Sequence, residues 1–262
     1  MRSRLLHRSA AITVVDVRCD GGSPLPGPEE ESPVDQIVLV RSGVFVCSVA
    51  RHPVVADTTR ALFFRRGETY RTSHPTGGGD RCTSISVGTE TQEPLPSSAP
   101  TTPADDLAHR RLVSSLVRRE MSPLEADEAV LDLTRRIVAH ALHAPVETGH
   151  SRRRIVDDAR ALMAARFDQH LRLDAIAREL HCSEFHLCRA FRRGTGETLG
   201  RYQSRLRIRA SLERLSAGER DLTRLALDLG FYDHSHFCRV FRREVGLSPS
   251  SWRSSNIVQA PR

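Results

Sequence analysis

Arginine carries most of the visible chemistry in this chain. Its guanidinium stays charged and presents planar N–H donors, which suits polyanions and paired acceptors. Arginines recur in one fixed setting: residues 186–193 read HLCRAFRR and residues 236–243 read HFCRVFRR. At an offset of fifty, six of the eight positions are identical: His186/His236, Cys188/Cys238, Arg189/Arg239, Phe191/Phe241, Arg192/Arg242 and Arg193/Arg243. Gly196 and Gly246 keep the same offset. A match this dense reads as a duplicated structural unit.

The elements that must hold these arginines are legible upstream of each block. LRLDAIAREL places Leu173, Ile176, Ala177 and Leu180 on one helix face, and DLTRLALDL does the same with Leu222, Leu225, Ala226 and Leu229. These two segments are offset by forty-nine, so the second connection holds one extra residue. It is Gly230-Phe231-Tyr232 before Asp233, against His181-Cys182 before Ser183. Ser183 and Asp233 are expected N-caps, because a side-chain oxygen satisfies an orphan backbone N–H. Helix, tight turn and capped helix is the helix-turn-helix pattern. One copy alone would also suit an ordinary helical hairpin; two copies in a basic region predict a bipartite DNA-binding unit.

Charge supports that division. Residues 151–262 hold 22 Arg against 13 Asp and Glu, and residues 1–150 hold 17 against 19, so +9 and −2 make the net +7. The basic half suits a polyanion and the near-neutral half something else. Every basic residue other than histidine is Arg, a bias read as genomic composition. Six scattered cysteines form no C-x-x-C, and no His/Cys set has zinc-ligand spacing, so neither metal nor cofactor is expected. No stretch approaches a membrane span or a signal-peptide core, and a cytoplasmic location is expected.

Along the chain, 11–17 is a β-like run and 21–33 a loop. Residues 36–50 give two β-branched runs around Arg41-Ser42-Gly43, a hairpin signal. Short pieces at 53–57, 60–65 and 82–87 complete a small β-sandwich or barrel. Residues 91–103, with four Pro, mark a boundary. Two amphipathic helices follow, the second starting with Ser122 as N-cap, Pro123 at its first position and Glu125 in its first turn. They either pack on the β unit or form a dimer face. Residues 144–154 read as a hinge, Ile155 to Phe167 as a helix, Thr198 to Leu215 as one helix bridging the two copies, and Pro249 as a further helix start.

IARELHCSEFHLCRAFRRGTGETLGRY, the segment from Arg205 through Arg209 and Ala210 to Leu212, and LGFYDHSHFCRVFRREVGLSPSSWR together resemble the DNA-binding domain of AraC/XylS-family transcription regulators. Gly230, Phe231, Asp233, Ser235, Phe237, Arg239, Phe241, Gly246 and Pro249 fall where that signature has them. The resemblance covers roughly residues 152–253. It implies that helices 183–193 and 233–243 enter successive major-groove segments, about 34 Å apart, on an asymmetric operator half of roughly 20 bp. The groove-facing positions it implies are Glu184, Phe185, Cys188 and Arg189, then His234, Ser235, Cys238 and Arg239. Arg189 and Arg239 would take guanine O6 and N7 bidentately. Phe185 and Cys188 depart from the usual polar choices, which suits a thymine methyl and makes the first helix the less base-specific. Arg192, Arg193, Arg242 and Arg243 would meet phosphate. Leu187, Phe191, Phe237 and Phe241 are expected in the core.

LFFRRGETYRTSHPTGGGDRCTSISV resembles, more loosely, the cupin-like sensor of that family. Cupin metal sites use His-x-His and Glu in one short motif, whereas His52 and His74 stand alone here. The expected organisation is α+β: a small cupin-like β-barrel sensor at 1–95, a helical linker and dimerisation segment at 104–144, and an all-α domain with two helix-turn-helix motifs at 150–255. The implied partners are promoter DNA, RNA polymerase, a second copy of the chain and a small-molecule effector. Activation is the expected sign of regulation. Two other function classes bear on this sequence. A redox switch would use Cys188 and Cys238 in the groove helices. An enzyme fusion finds no nucleophile–base pair or phosphate loop in residues 1–150.

Overall fold

Alternation of apolar side chains with period two builds the N-terminal half. In β2 (Ile12–Cys19), β4 (Gln36–Ser42), β7 (Arg60–Phe64) and β9 (Asp80–Val87), successive residues point to opposite faces, and both faces are apolar. Ile12, Val14, Leu39, Ala61, Phe63 and Ile85 form one face. Val40, Leu62, Phe64 and Cys82 form the other. A sheet apolar on both faces must be covered twice, and it is. The chain is seen in a computed structural model, which describes residues 1–49, 52–75, 77–88, 95–143 and 150–257.

With β1 (Arg2–Arg8) and β10 (Ser98–Pro100), these strands make an antiparallel sheet in the order β1-β2-β9-β4-β7-β10. A second sheet, β3-β8-β5-β6, holds β3 (Glu30–Glu31), β5 (Phe45–Val49), β6 (His52–Ala56) and β8 (Thr69–Ser73). Phe45, Cys47, Val49, Val54 and Ala56 of the second sheet close against the inner face of the first. The expected barrel is therefore not closed; the strands form two stacked sheets. The expected hairpin around Arg41-Ser42-Gly43 is also not formed. β4 pairs with β7 and β9, while β5 pairs with β6 and β8. Gly43, at φ 82°, turns the chain from one sheet to the other. The turn signal is local, but the strand's partner is chosen by the distant residues that match its apolar face.

Helices α1 (Pro103–Arg118) and α2 (Pro123–Leu142) cover the outer face of the six-stranded sheet. Leu112 and Leu116 of α1, with Ala126, Val130, Leu133, Ile137 and Ala141 of α2, share one core with that face. Both helices begin with a capping box and a proline, the second through Ser122 and Glu125 as expected. Of the expected hinge, 144–149 lies outside the described residues, as does 91–94 of the expected boundary. Ser98–Pro100, inside that boundary, pairs with β7 as an edge strand.

The C-terminal half is all helical: α3 (His150–Ala165), α4 (Leu173–Glu179), α5 (Glu184–Thr195), α6 (Leu199–Ser216), α7 (Leu222–Asp228), α8 (His234–Val245) and α9 (Pro249–Ile257). It has two cores. Val156, Ala159, Met163, Ile176, Leu187, Phe191 and Tyr202 form the first, into which Val44 and Val55 of the β unit also pack. Ile208, Leu212, Leu225, Phe237, Phe241 and Trp252 form the second. α6 supplies both, so it ties the duplicated units together.

Candidate nucleic-acid interface

The duplication is exact at the level of elements. α4 and α7 are offset by forty-nine residues, and α5 and α8 by fifty. The Ser183 hydroxyl accepts from the His186 N–H at 3.2 Å, and the Asp233 carboxylate from the His236 N–H at 2.6 Å. Gly196 and Gly246 end the two helices in the left-handed conformation. Arginines in the last turn of each, Arg192 with Arg193 and Arg242 with Arg243, complement the helix dipole.

Each second helix splits its residues sharply. Leu187, Ala190 and Phe191 of α5 are buried, as are Phe237, Val240 and Phe241 of α8. Phe191 meets Tyr202 edge-on at 5.3 Å, and Phe237 meets Phe231 and Phe241 at 5.2 and 5.6 Å. The opposite faces are open. Glu184, Phe185, Cys188, Arg189, Arg192 and Arg193 are exposed, as are Ser235, Arg239, Arg242 and Arg243. Phe185 is 75% exposed, a large apolar side chain that no intramolecular packing accounts for. Among the described residues, Arg189 and Arg239 make no hydrogen bond or ion pair, whereas Arg243 reaches Glu244 at 3.1 Å.

Two of the sequence candidates face inward in part. His234 and Cys238 are half-buried, and their Nε2 and Sγ lie 3.4 Å apart one turn along α8. Burial holds the Cys238 thiol above its usual range despite nearby Arg242. All six cysteines are free thiols.

Residues the sequence reading passed over fix the geometry. Arg207 of α6 donates to the Phe167 carbonyl at 2.6 Å, the Gln169 carbonyl at 2.8 Å and the Gly230 carbonyl at 2.6 Å. One guanidinium thus pins the segment that leads from α3 into the first unit to the turn of the second. Tyr232, in that same turn, is 88% exposed and stands beside α8. Its only sequence signal was its place in the three-residue connection.

The opposite side of α6 is bonded to the β unit. Tyr202, Arg205, Arg209 and Glu213 recur every three or four residues, which puts them on one helix face. Tyr202 and Arg160 of α3 donate to Asp57 at 2.6 and 2.9 Å, and Thr59 donates to the same carboxylate from its backbone and hydroxyl. Arg205 and Arg209 donate to the Thr101 carbonyl at 3.3 and 3.2 Å. Glu213 accepts from Arg110 at 2.8 Å and lies 3.6 Å from Arg81 and 3.9 Å from Arg41. Arg41 is held in turn by Asp16. Arg111 covers the Trp252 ring at 5.4 Å. Burial raises Asp57, but Arg160, Thr59 and Tyr202 outweigh it and hold the carboxyl below its usual range.

His74 lies outside any His-x-His motif, and its neighbours in space are an acid and a thiol. It is buried, and its Nε2 lies 2.8 Å from Asp80, with the Cys19 thiol close by. No helix among the described residues is long and apolar enough to cross a membrane.

A family profile described as a helix-turn-helix domain matches residues 176–255. The regulatory protein SoxS of Escherichia coli K12 is 35% identical over 103 residues, which cover 39% of this chain and 96% of SoxS. The transcriptional activator RhaR of Klebsiella pneumoniae is 34% identical over 132 residues, 50% of this chain and 46% of RhaR. A crystal structure of unsaturated-fatty-acid-bound ToxT from Vibrio cholerae matches over the whole of both chains at 12% identity and a TM-score of 0.39. The profile match, from 176 to 255, runs through α5, α6, α7 and α8 and the capped turns described above. The chain belongs to the AraC/XylS family of DNA-binding transcription regulators, which are not enzymes.

Proposed function

We propose that α5 and α8 enter successive major-groove segments on one side of a promoter, and that the chain activates transcription from it. The observation that carries this reading is the pair of exposed arginines that have no hydrogen-bond or ionic partner among the described residues, Arg189 and Arg239, at equivalent places on two capped helices tied together by α6 and Arg207. Arg239 reads a guanine through O6 and N7, and Arg189 does so in the first segment. Phe185 and Cys188 offer apolar contact to a thymine methyl. Glu184, His234, Ser235 and Cys238 line the same faces, and Arg192, Arg193, Arg242 and Arg243 neutralise phosphates.

The N-terminal residues 1–95 act as the cupin-like sensor. A cavity of about 280 Å³ between the six-stranded sheet and α2 supports an effector site. Ile37, Phe63, Ile85, Leu131 and Val138 give it apolar walls, and Arg65 and Arg135 lie among its lining. Leu124, Leu131 and Leu142 are exposed along one side of α2, which supports a second copy pairing through 104–144. Contact with RNA polymerase and a cytoplasmic location complete the reading.

A footprint of the full-length protein upstream of its own and neighbouring genes tests it. Asymmetric protection near ~20 bp is expected. Arg239→Ala should weaken binding by about 5- to 150-fold, the loss of one bidentate base contact at ~1–3 kcal/mol, and relax sequence choice at one position. Protection that is equally strong on random DNA overturns the assignment.

A further inference from the structure

We propose that Cys19, His74 and Asp80 form a binding site for a divalent zinc ion in the β unit. Cys19 ends β2, Asp80 begins β9 directly opposite it in the strand register, and His74 follows β8 in the other sheet. One donor atom from each lies within 4.8 Å of the other two. Donors around a single tetrahedral zinc sit roughly 3.3–3.8 Å apart at bond lengths of about 2.0–2.3 Å. The site therefore needs the partly buried Cys19 side chain to swing inward and the His74–Asp80 pair, now at 2.8 Å, to open slightly around the ion.

The surroundings are built for this convergence. A Cβ on Gly22 would come within 2.7 Å of His74 Nδ1, one on Gly43 within 2.8 Å of the Asp80 Cα, and one on Gly79 would overlap the Cys19 carbonyl. Glycine at these places lets the two sheets bring their ends to one point. Asp80 is buried and already oriented from behind: its Oδ1 accepts from the Cys82 thiol at 3.1 Å while its Oδ2 faces His74. An outer hydrogen bond of this kind aims a ligating carboxylate.

One thiolate, one imidazole and one carboxylate form a mixed S/N/O set that suits zinc better than magnesium or calcium. Three protein ligands leave the fourth position to water or an exogenous donor.

The test uses full-length, reduced, metal-free protein. Titration with Co²⁺ as a spectroscopic substitute should give a thiolate-to-cobalt charge-transfer band and tetrahedral d–d bands that saturate at one equivalent. Competition against a chromophoric chelator should give one Zn²⁺ per chain, with a rise in Tm of about 5 °C at a hundred-fold excess over Kd. Cys19→Ser removes one weak contact, to the Gly21 carbonyl, and leaves the metal-free fold intact. It should abolish the thiolate band and weaken Zn²⁺ by at least ~100-fold while the metal-free Tm stays unchanged. Absence of the band, binding well below one equivalent, or undiminished binding in Cys19→Ser overturns the site and leaves His74, Asp80 and Cys82 as a hydrogen-bonded latch.

Discussion

Replacing Asp57 by Asn tests whether the polar junction holds the DNA-binding half against the β unit. Asp57 is fully buried between β6 and β7, and its carboxylate accepts four hydrogen bonds, at 2.6 and 2.5 Å from Thr59, 2.9 Å from Arg160 and 2.6 Å from Tyr202. A carboxamide has the same shape but no charge. It must also turn an NH₂ donor toward either Thr59 or the Arg160 and Tyr202 donors. Arg160, itself 3% exposed, would keep, among the described residues, only Asp157 at 3.9 Å as an ionic partner. Breaking a buried pair from one side costs about 3–5 kcal/mol. At about 2–4 °C per kcal/mol this lowers Tm by roughly 6–20 °C. Asp57 lies in the β unit while Arg160 and Tyr202 lie in α3 and α6, so calorimetry should also resolve two transitions where the wild type has one. Arg160→Met added to Asp57→Asn should recover part of the loss, because it removes the stranded charge.

The pH dependence supplies a check on sign. The folded pKa of Asp57 lies below its unfolded value, so its contribution is complete above about pH 4 and is lost as pH falls through the folded pKa. The two proteins should therefore converge in acid. A Tm within 1 °C of wild type at pH 7, an estimate of negligible cost on the order of RT, would refute the reasoning and mean that water already reaches the pair.

Three further outcomes follow from the same geometry. Arg242→Ala with Arg243→Ala should lower the slope of log K against log salt by about 1.8, at ~0.9 per phosphate contact, without changing base preference; a changed preference would reassign them as base readers. Gly230→Ala should cost more than about 2 kcal/mol, because φ is 77° and a Cβ would overlap the Asp168 carbonyl, whereas Gly246→Ala, at φ 81° in open space, should cost only ~1–2 kcal/mol in chemical denaturation. Burial pushes the His109 pKa down to about 3 against the pull of Asp106, helped by Arg41, Arg110 and Arg209. The unfolded chain therefore takes up a proton below about pH 6.5 that the folded chain refuses, and stability should fall by about 2 kcal/mol between pH 8 and pH 5, a slope that His109→Gln removes.

The helical half was readable because its determinants are local. Periodicity set α4 and α7, the Ser183 and Asp233 side chains capped helices that start one residue later, and duplication identified both capped helices and the extra residue in the second turn. Leu187, Phe191, Phe237 and Phe241 lie in the core as expected, because an amphipathic helix has one apolar side to bury. The same logic misjudged Arg41-Ser42-Gly43. A glycine at positive φ turns the chain equally well within a sheet or between sheets, and only the matching of apolar faces selects the partner.

Position in the chain determined which residues could read DNA; tertiary structure determined what holds them. Asp57, Arg160 and Tyr202 meet across sequence separations of 103 and 145 residues. Cys19, His74 and Asp80 come from the ends of separate strands. No spacing rule records such meetings, because they depend on where two sheets and two helices come to rest. Hydrogen bonds within a turn of helix are fixed by residues three or four apart. Buried charges find partners only after packing has excluded water, and that packing is a property of the whole chain.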